Sequence, residues 1–218
     1  LGGALVEAVM TDGFQVAWVG GGGPMAEALD LLGQVQPTGG PTEPTVHALV
    51  LGDPRTAGPL PPTTARGELW LIRDFLPDFG FPQFLMEFVA SRGVDVLHIH
   101  NSRLAADLLP AMLAAFPDLR IVASVRLLGP EETACAAHLC QRYANLVHAF
   151  VASTSEAVPF LRRHGIPDAA IHRYTSTESS QLLSTLASSY RAVIGFDTRV
   201  ATSSDSSDDP GRATDKRR

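Results

Sequence analysis

Runs of apolar residues recur along this chain and alternate with stretches whose apolar positions repeat every three or four residues. The runs include Phe14–Gly20, Thr45–Gly52, Glu68–Asp74, Val94–Asn101, Leu119–Val125 and His148–Thr154, with a short one at Ile171–Thr175. Continuous apolar runs of this length read as strands buried on both faces. The intervening segments predict helices over Ala4–Met10, Pro24–Leu32, Phe81–Gly93, Arg103–Phe116, Glu131–Leu146 and Ser155–Gly165. Pro24 suits a first helical turn, where its missing N–H costs little. Gly165 suits a helix end. Pro54–Arg66 is rich in Pro, Thr and Gly and reads as an irregular excursion.

Strands separated by helices argue for a parallel sheet covered on both faces. The expected fold class is α/β, a Rossmann-like, doubly wound, mostly parallel sheet with helices on both faces. Ligands of such sheets bind beyond the carboxyl ends of the strands. Residues 1–192 are expected to form the domain. Residues 193–218 are expected to be a mostly disordered tail, because the Ser/Asp-rich and then basic sequence from Thr202 has little to bury.

Composition narrows the function. Of the 218 residues, 45% are hydrophobic and 18% charged. That balance suits a well-buried domain, or one whose partner surface is missing. A net charge of −6 argues against nucleic acid, which needs a basic footprint. No apolar run is long enough for a transmembrane segment. Two cysteines, Cys135 and Cys140, are too few for a disulfide framework, so a cytoplasmic location is expected. The only lysine, Lys216, lies in the tail, which removes lysine chemistry from the domain.

Three motifs could carry chemistry. The first is Gly21-x-Gly23-x-x-Ala26 between a strand and a helix, the context of a dinucleotide fingerprint. Against it, Pro24 removes an N–H from the turn that should donate. Asp53 also comes about ten residues late for the ribose contact. The second is Cys135, His138 and Cys140. Positions i and i+3 share a helix face but i+5 does not, so buried small residues fit better than metal ligands. The third is "VLHIHNSR". His98 and His100 stand at i and i+2 on a strand, with Val96, and therefore share a face, while Leu97 and Ile99 point the other way. They lie at the carboxyl end, where a cleft is expected. No third ligand is evident, so no metal is expected. From the residues alone, structural hydrogen bonding and a role in a ligand cleft both stay open for the pair.

"VDVLHIHNSRLAADLLPAMLAAFPDLRIVASV" resembles the N-terminal, acceptor-side half of retaining GT-B glycosyltransferases of the family 4 type. "RYANLVHAFVASTSEAVPFLRRHGIPDAAIHRYT" continues the likeness through Ser155, Glu156, Gly165, Ile166, Pro167 and Ile171. Gly2-Gly3, the helix after it and "DGFQV" resemble the family's glycine loop, first helix and second strand. The resemblance implies one half of a two-domain enzyme that transfers a hexose from a nucleotide-sugar to a sugar, lipid or polysaccharide acceptor in carbohydrate biosynthesis. The donor is then a substrate, and no cofactor is implied. It also implies that Gly2 and Gly3 lie near the donor phosphate, that His100 and Asn101 line the acceptor cleft, and that Ser155 and Glu156 line the same edge. In the light of this resemblance His98, deeper in the sheet, reads as packed and hydrogen-bonded, and His100, next to Asn101, as the working residue.

Arg126 stands where the family often has a histidine, and is expected to stabilise charge. "TSTES" replaces the usual turn after Ile171. The strand before Gly2-Gly3 and the donor-binding domain have no counterpart here. The chain therefore reads as a fragment or decayed copy, inactive in isolation. Loss of that strand is expected to leave neighbouring backbone groups unpaired. A dinucleotide-binding domain and a non-catalytic partner module are the alternatives.

Overall fold

The computed structural model describes residues 14–20, 45–51, 67–173, 186, 188–190 and 192–194. Seven parallel strands form one sheet: β1 (Gln15–Gly20), β2 (Thr45–Val50), β3 (Gly67–Leu71), β4 (Val96–His100), β5 (Arg120–Val125), β6 (Ala149–Ala152) and β7 (Ile171–Arg173). Their order across the sheet is β3-β2-β1-β4-β5-β6-β7. The helices among the described residues include α1 (Phe81–Arg92), α2 (Arg103–Ala115), α3 (Pro130–Tyr143) and α4 (Ala157–Arg163). The expected Rossmann-like α/β class is what the chain adopts.

The two faces of the sheet follow the pleat. Ala17, Val19, Leu49, Leu97, Ile99, Ile121, Ala123 and Phe150 point to one face, where they meet Phe81, Leu85 and Val89 of α1, Leu109 and Met112 of α2, and Leu161 of α4. Val16, Trp18, Ala48, Val96, Val122 and Val151 point to the other and pack with Leu186 and Tyr190. Residues 186, 188–190 and 192–194 are helical. The helix α1 ends on Gly93 at φ 59°, a left-handed position whose N–H closes on Val89 O.

Strand order reverses between β1 and β4: the chain builds outward through β2 and β3, then returns through α1 to β4 on the other side of β1. The carboxyl ends of β1 and β4 therefore flank the topological switch point. This corrects one expectation. The resemblance makes the strand of "DGFQV", Phe14–Gly20, a second strand beside a central one that precedes Gly2-Gly3. It is itself central, hydrogen-bonded to β2 on one side and β4 on the other, so that among the described strands no gap separates them. Asp95 secures the joint. Its carboxylate accepts from Gln15 N at 2.7 Å, its N–H donates to Gln15 O, and its carbonyl accepts from Arg120 N.

Element ends moved by a few residues where local geometry won. The apolar run Glu68–Asp74 is strand only to Leu71, then a 3-10 turn over Ile72–Asp74. The helix expected to reach Leu146 closes at Tyr143 and continues as a 3-10 turn, Ala144–Leu146. The helices expected at 4–10 and 24–32, the excursion at 54–66 and the tail from 195 lie outside the described residues. Val193 and Ile194 pack against the second face.

Candidate functional site

Polar side chains collect at the carboxyl end of the central strands, on the face that Tyr190 covers. The parallel register sets Gly20 opposite His100, and His100 opposite Ser124. Arg126 leaves the end of β5 two residues later. Each group is brought to the edge by its position on a strand, and α2 starts immediately beyond. Its N-cap is Ser102, whose buried hydroxyl accepts from Ala105 N at 3.1 Å.

His98 is fully buried, and both ring nitrogens are engaged. Nδ1 lies 2.5 Å from the Tyr190 hydroxyl and Nε2 2.7 Å from Ser124 Oγ. Burial, with His100 adding repulsion, pushes its pKa down to about 3. The ring is thus neutral, donating from one nitrogen and accepting at the other. Neither nitrogen is left for a metal, and the expected packed, hydrogen-bonded role is met.

His100 is also buried, at 3% exposure. Burial, with Arg126 nearby, lowers its pKa to about 4. The imidazole stacks on the Trp18 indole, with centroids 5.4 Å apart and planes 26° from parallel. Trp18 meets His98 edge-on at 6.5 Å. The indole also lies over Gly20, where an added Cβ would come within 2.2 Å of the ring. Glycine at this strand end thus makes room for the indole. Asn101 Nδ2 is 3.4 Å from His100 Nε2. Asn101 has φ 47°, a left-handed conformation that asparagine tolerates better than most residues. This kink turns the chain from β4 into α2 and leaves the amide half-buried at the edge.

His100, Asn101 and Arg126 thus come together beside Gly20. Ser155 and Glu156 sit in the turn after β6, exposed on the same edge but one strand further out. The Glu156 carboxylate is held below its ordinary range by its own backbone N–H and the Ser155 hydroxyl. Gly2, Gly3, Gly21, Gly23 and Ala26 lie outside the described residues.

Away from the edge, His138 Nε2 bonds Asp107 Oδ1 at 2.6 Å, and the Tyr143 hydroxyl donates to the same oxygen at 2.8 Å, which ties α3 to α2. Cys135 and Cys140 are free thiols, and burial raises both pKa values. Among the described residues no group of three His, Cys, Asp or Glu side chains gathers as a metal site. No helix among them is long and apolar enough to cross a membrane.

Trp18, Ser124 and Tyr190 belong to this constellation and are not prominent in the sequence. Trp18 and Ser124 are legible only as members of apolar strands. Tyr190 had a fainter signal: Leu182, Leu183, Leu186, Tyr190, Val193 and Ile194 recur at helical spacing ahead of the tail.

No protein-family model and no curated protein matches the sequence. Solved structures do. They include UDP-N-acetylglucosamine 2-epimerases from Rickettsia bellii (10% identity, TM-score 0.49, covering 79% of this chain and 46% of that one) and Methanocaldococcus jannaschii (14%, 0.48, 79% and 48%). A sucrose-phosphate synthase piece from Thermosynechococcus elongatus also matches (12%, 0.48, 82% and 98%). The chain spans about half the length of the epimerases, 46% and 48%. At these identities and scores the likenesses carry no argument about function, and the α/β class rests on the strand order itself.

Proposed function

We propose that this chain is the acceptor-side half of a GT-B glycosyltransferase, which, completed by a donor-binding domain, transfers a sugar from a nucleotide-sugar with retention. The observation that carries the reading is the convergence of Gly20, His100–Asn101 and Arg126 on three neighbouring strand ends at the switch point. The sequence resemblance adds the family.

In this reading Arg126 offsets the negative charge that develops on the departing diphosphate, as a guanidinium does well through paired N–H groups. Asn101 presents its amide to an acceptor hydroxyl. His100, neutral and beneath it, holds that amide in place. Ser155 and Glu156 extend the edge toward the acceptor. The phosphate-facing glycine role, which the resemblance gives to Gly2 and Gly3, is open equally to the run beginning at Gly20, because that run leaves the central strand. The donor is a substrate, no further cofactor is required, and the reaction is cytoplasmic.

The same position of the glycine run supports a second reading, a dinucleotide site built on Gly21, Gly23 and Ala26. Saturation-transfer NMR on the whole chain separates the two. The panel is glucose, mannose, N-acetylglucosamine, NAD and FAD. A response from at least one sugar, lost in Asn101→Ala, is expected, with none from the dinucleotides. Dinucleotide binding that disappears in Gly23→Val, without any sugar response, would overturn the glycosyltransferase reading.

A further inference from the structure

We propose that Tyr190 is a positioning residue for the carboxyl-edge site: its hydroxyl fixes the tautomer of His98 and, through Trp18, the ring of His100 beside Asn101. The inference deepens the proposed function and rests on it only for the word "site"; the linkage itself is a matter of geometry.

The linkage is a short series of contacts. Tyr190 is 1% exposed and comes from the helical residues that cover the second face of the sheet. Its hydroxyl is 2.5 Å from His98 Nδ1, and its ring meets His98 at 5.7 Å and 73° and Phe14 at 6.2 Å and 77°. On the far side of His98, Nε2 reaches Ser124 Oγ at 2.7 Å. Trp18 touches both histidines, edge-on to His98 and stacked on His100. The far edge of the indole lies over Gly20, where a Cβ would come within 2.2 Å of it. Trp18 is thus the ring through which a shift of His98 reaches His100.

Chemistry gives the network a direction. A phenol is a far stronger acid than an alkyl hydroxyl, so Tyr190 is the better donor to an imidazole nitrogen. Burial raises the Tyr190 pKa further, so the proton stays on oxygen and remains available to donate. Tyr190 O–H then donates to Nδ1, and His98 Nε2–H donates to Ser124 Oγ. His98 is the Nε2–H tautomer. Packing alone would be served by phenylalanine, whereas the buried hydroxyl and the imidazole Nδ1 have a desolvation cost that their mutual bond offsets.

The test uses the whole chain with ¹⁵N-labelled histidine and, for fluorescence, a Trp70→Phe background in which Trp18 is the remaining tryptophan. Long-range ¹H–¹⁵N spectra are expected to report a single Nε2–H tautomer for His98 in the unsubstituted chain. Tyr190→Phe is expected to produce mixed tautomers, shifted His100 ring signals and red-shifted Trp18 emission. Ser124→Ala, which keeps the Tyr190 bond, is expected to leave Trp18 emission unchanged.

An Nδ1–H tautomer in the unsubstituted chain overturns the proposal, and that measurement needs no variant to fold. So does a Tyr190→Phe chain that unfolds more easily yet keeps the His100 signals and Trp18 emission. Any sugar response found for the parent chain is expected to fall about tenfold in Tyr190→Phe. If it does not fall, the positioning role fails while the glycosyltransferase reading stands. If no sugar binds at all, that reading fails and the tautomer result is untouched.

Discussion

Gly20 and Asn101 are the two residues whose backbones shape the edge, and each makes a sharp prediction. A methyl at Gly20 would press into a buried indole held by two imidazoles, not into a flexible chain end. Gly20→Ala is therefore expected to destabilise by about 1–3 kcal/mol, the usual range for overpacking, and to shift Trp18 emission. Asn101 holds φ 47°. Asn101→Gly is expected to be near neutral in a urea titration, and Asn101→Val to cost about 1–3 kcal/mol, because a β-branched side chain at positive φ is strained. The His98/His100 pair illustrates how far sequence reaches at this scale. Period-two spacing placed both rings on one face, and the deeper place of His98 on the strand marked it as packed. It could not reveal that His100 is buried too, because Trp18, far away in sequence, supplies the cover.

Helix α2 carries the element-scale tests. Ser102 caps it from a buried position, so Ser102→Ala is expected to cost about 1 kcal/mol in thermal or urea unfolding. Pro110 lies well inside the same helix, exposed, and cannot donate to the carbonyl four residues back. Pro110→Ala restores that bond and is expected to stabilise by about 1–3 kcal/mol; a loss of stability would mean that the ring packs more than its exposure suggests. The β and α elements through the described region were legible because apolar runs and three-to-four spacing differ plainly in "VDVLHIH" and "RLAADLLPAML". Their ends were not, since 3-10 turns such as Ile72–Asp74 and Ala144–Leu146 leave no periodic trace.

The molecule as a whole should lose stability in mild acid. His98 and His100 have folded pKa values of about 3 and about 4, below the ordinary 6.5. Between those values and 6.5 the unfolded chain binds more protons. The stability that the two neutral rings represent is thus complete above pH 6.5 and lost as pH falls through that window. A slope approaching about 1.4 kcal/mol per pH unit for each histidine is expected below pH 6. Unfolding midpoints measured across this range would check it, and His98→Gln should flatten the dependence. Asp107 and Asp168, also held low by their partners, add to the loss at still lower pH. The isolated chain is expected to turn over no nucleotide-sugar. Release of free nucleotide diphosphate from UDP-glucose or UDP-N-acetylglucosamine in the presence of a sugar acceptor would contradict this.

By itself, the sequence determined the α/β class, the parallel sheet, most of the elements and the placing of His100, Asn101 and Arg126 at strand ends. Those properties follow from local patterning, which hydrophobic burial enforces residue by residue. Tertiary structure alone decided which strand is central, because strand order depends on pairing energies between segments far apart in the chain. It also decided that Trp18 and Tyr190 enclose the two histidines. Contacts between residues 18, 98, 124 and 190 carry no periodic signature; they arise only when register and helix docking bring those side chains together on one face.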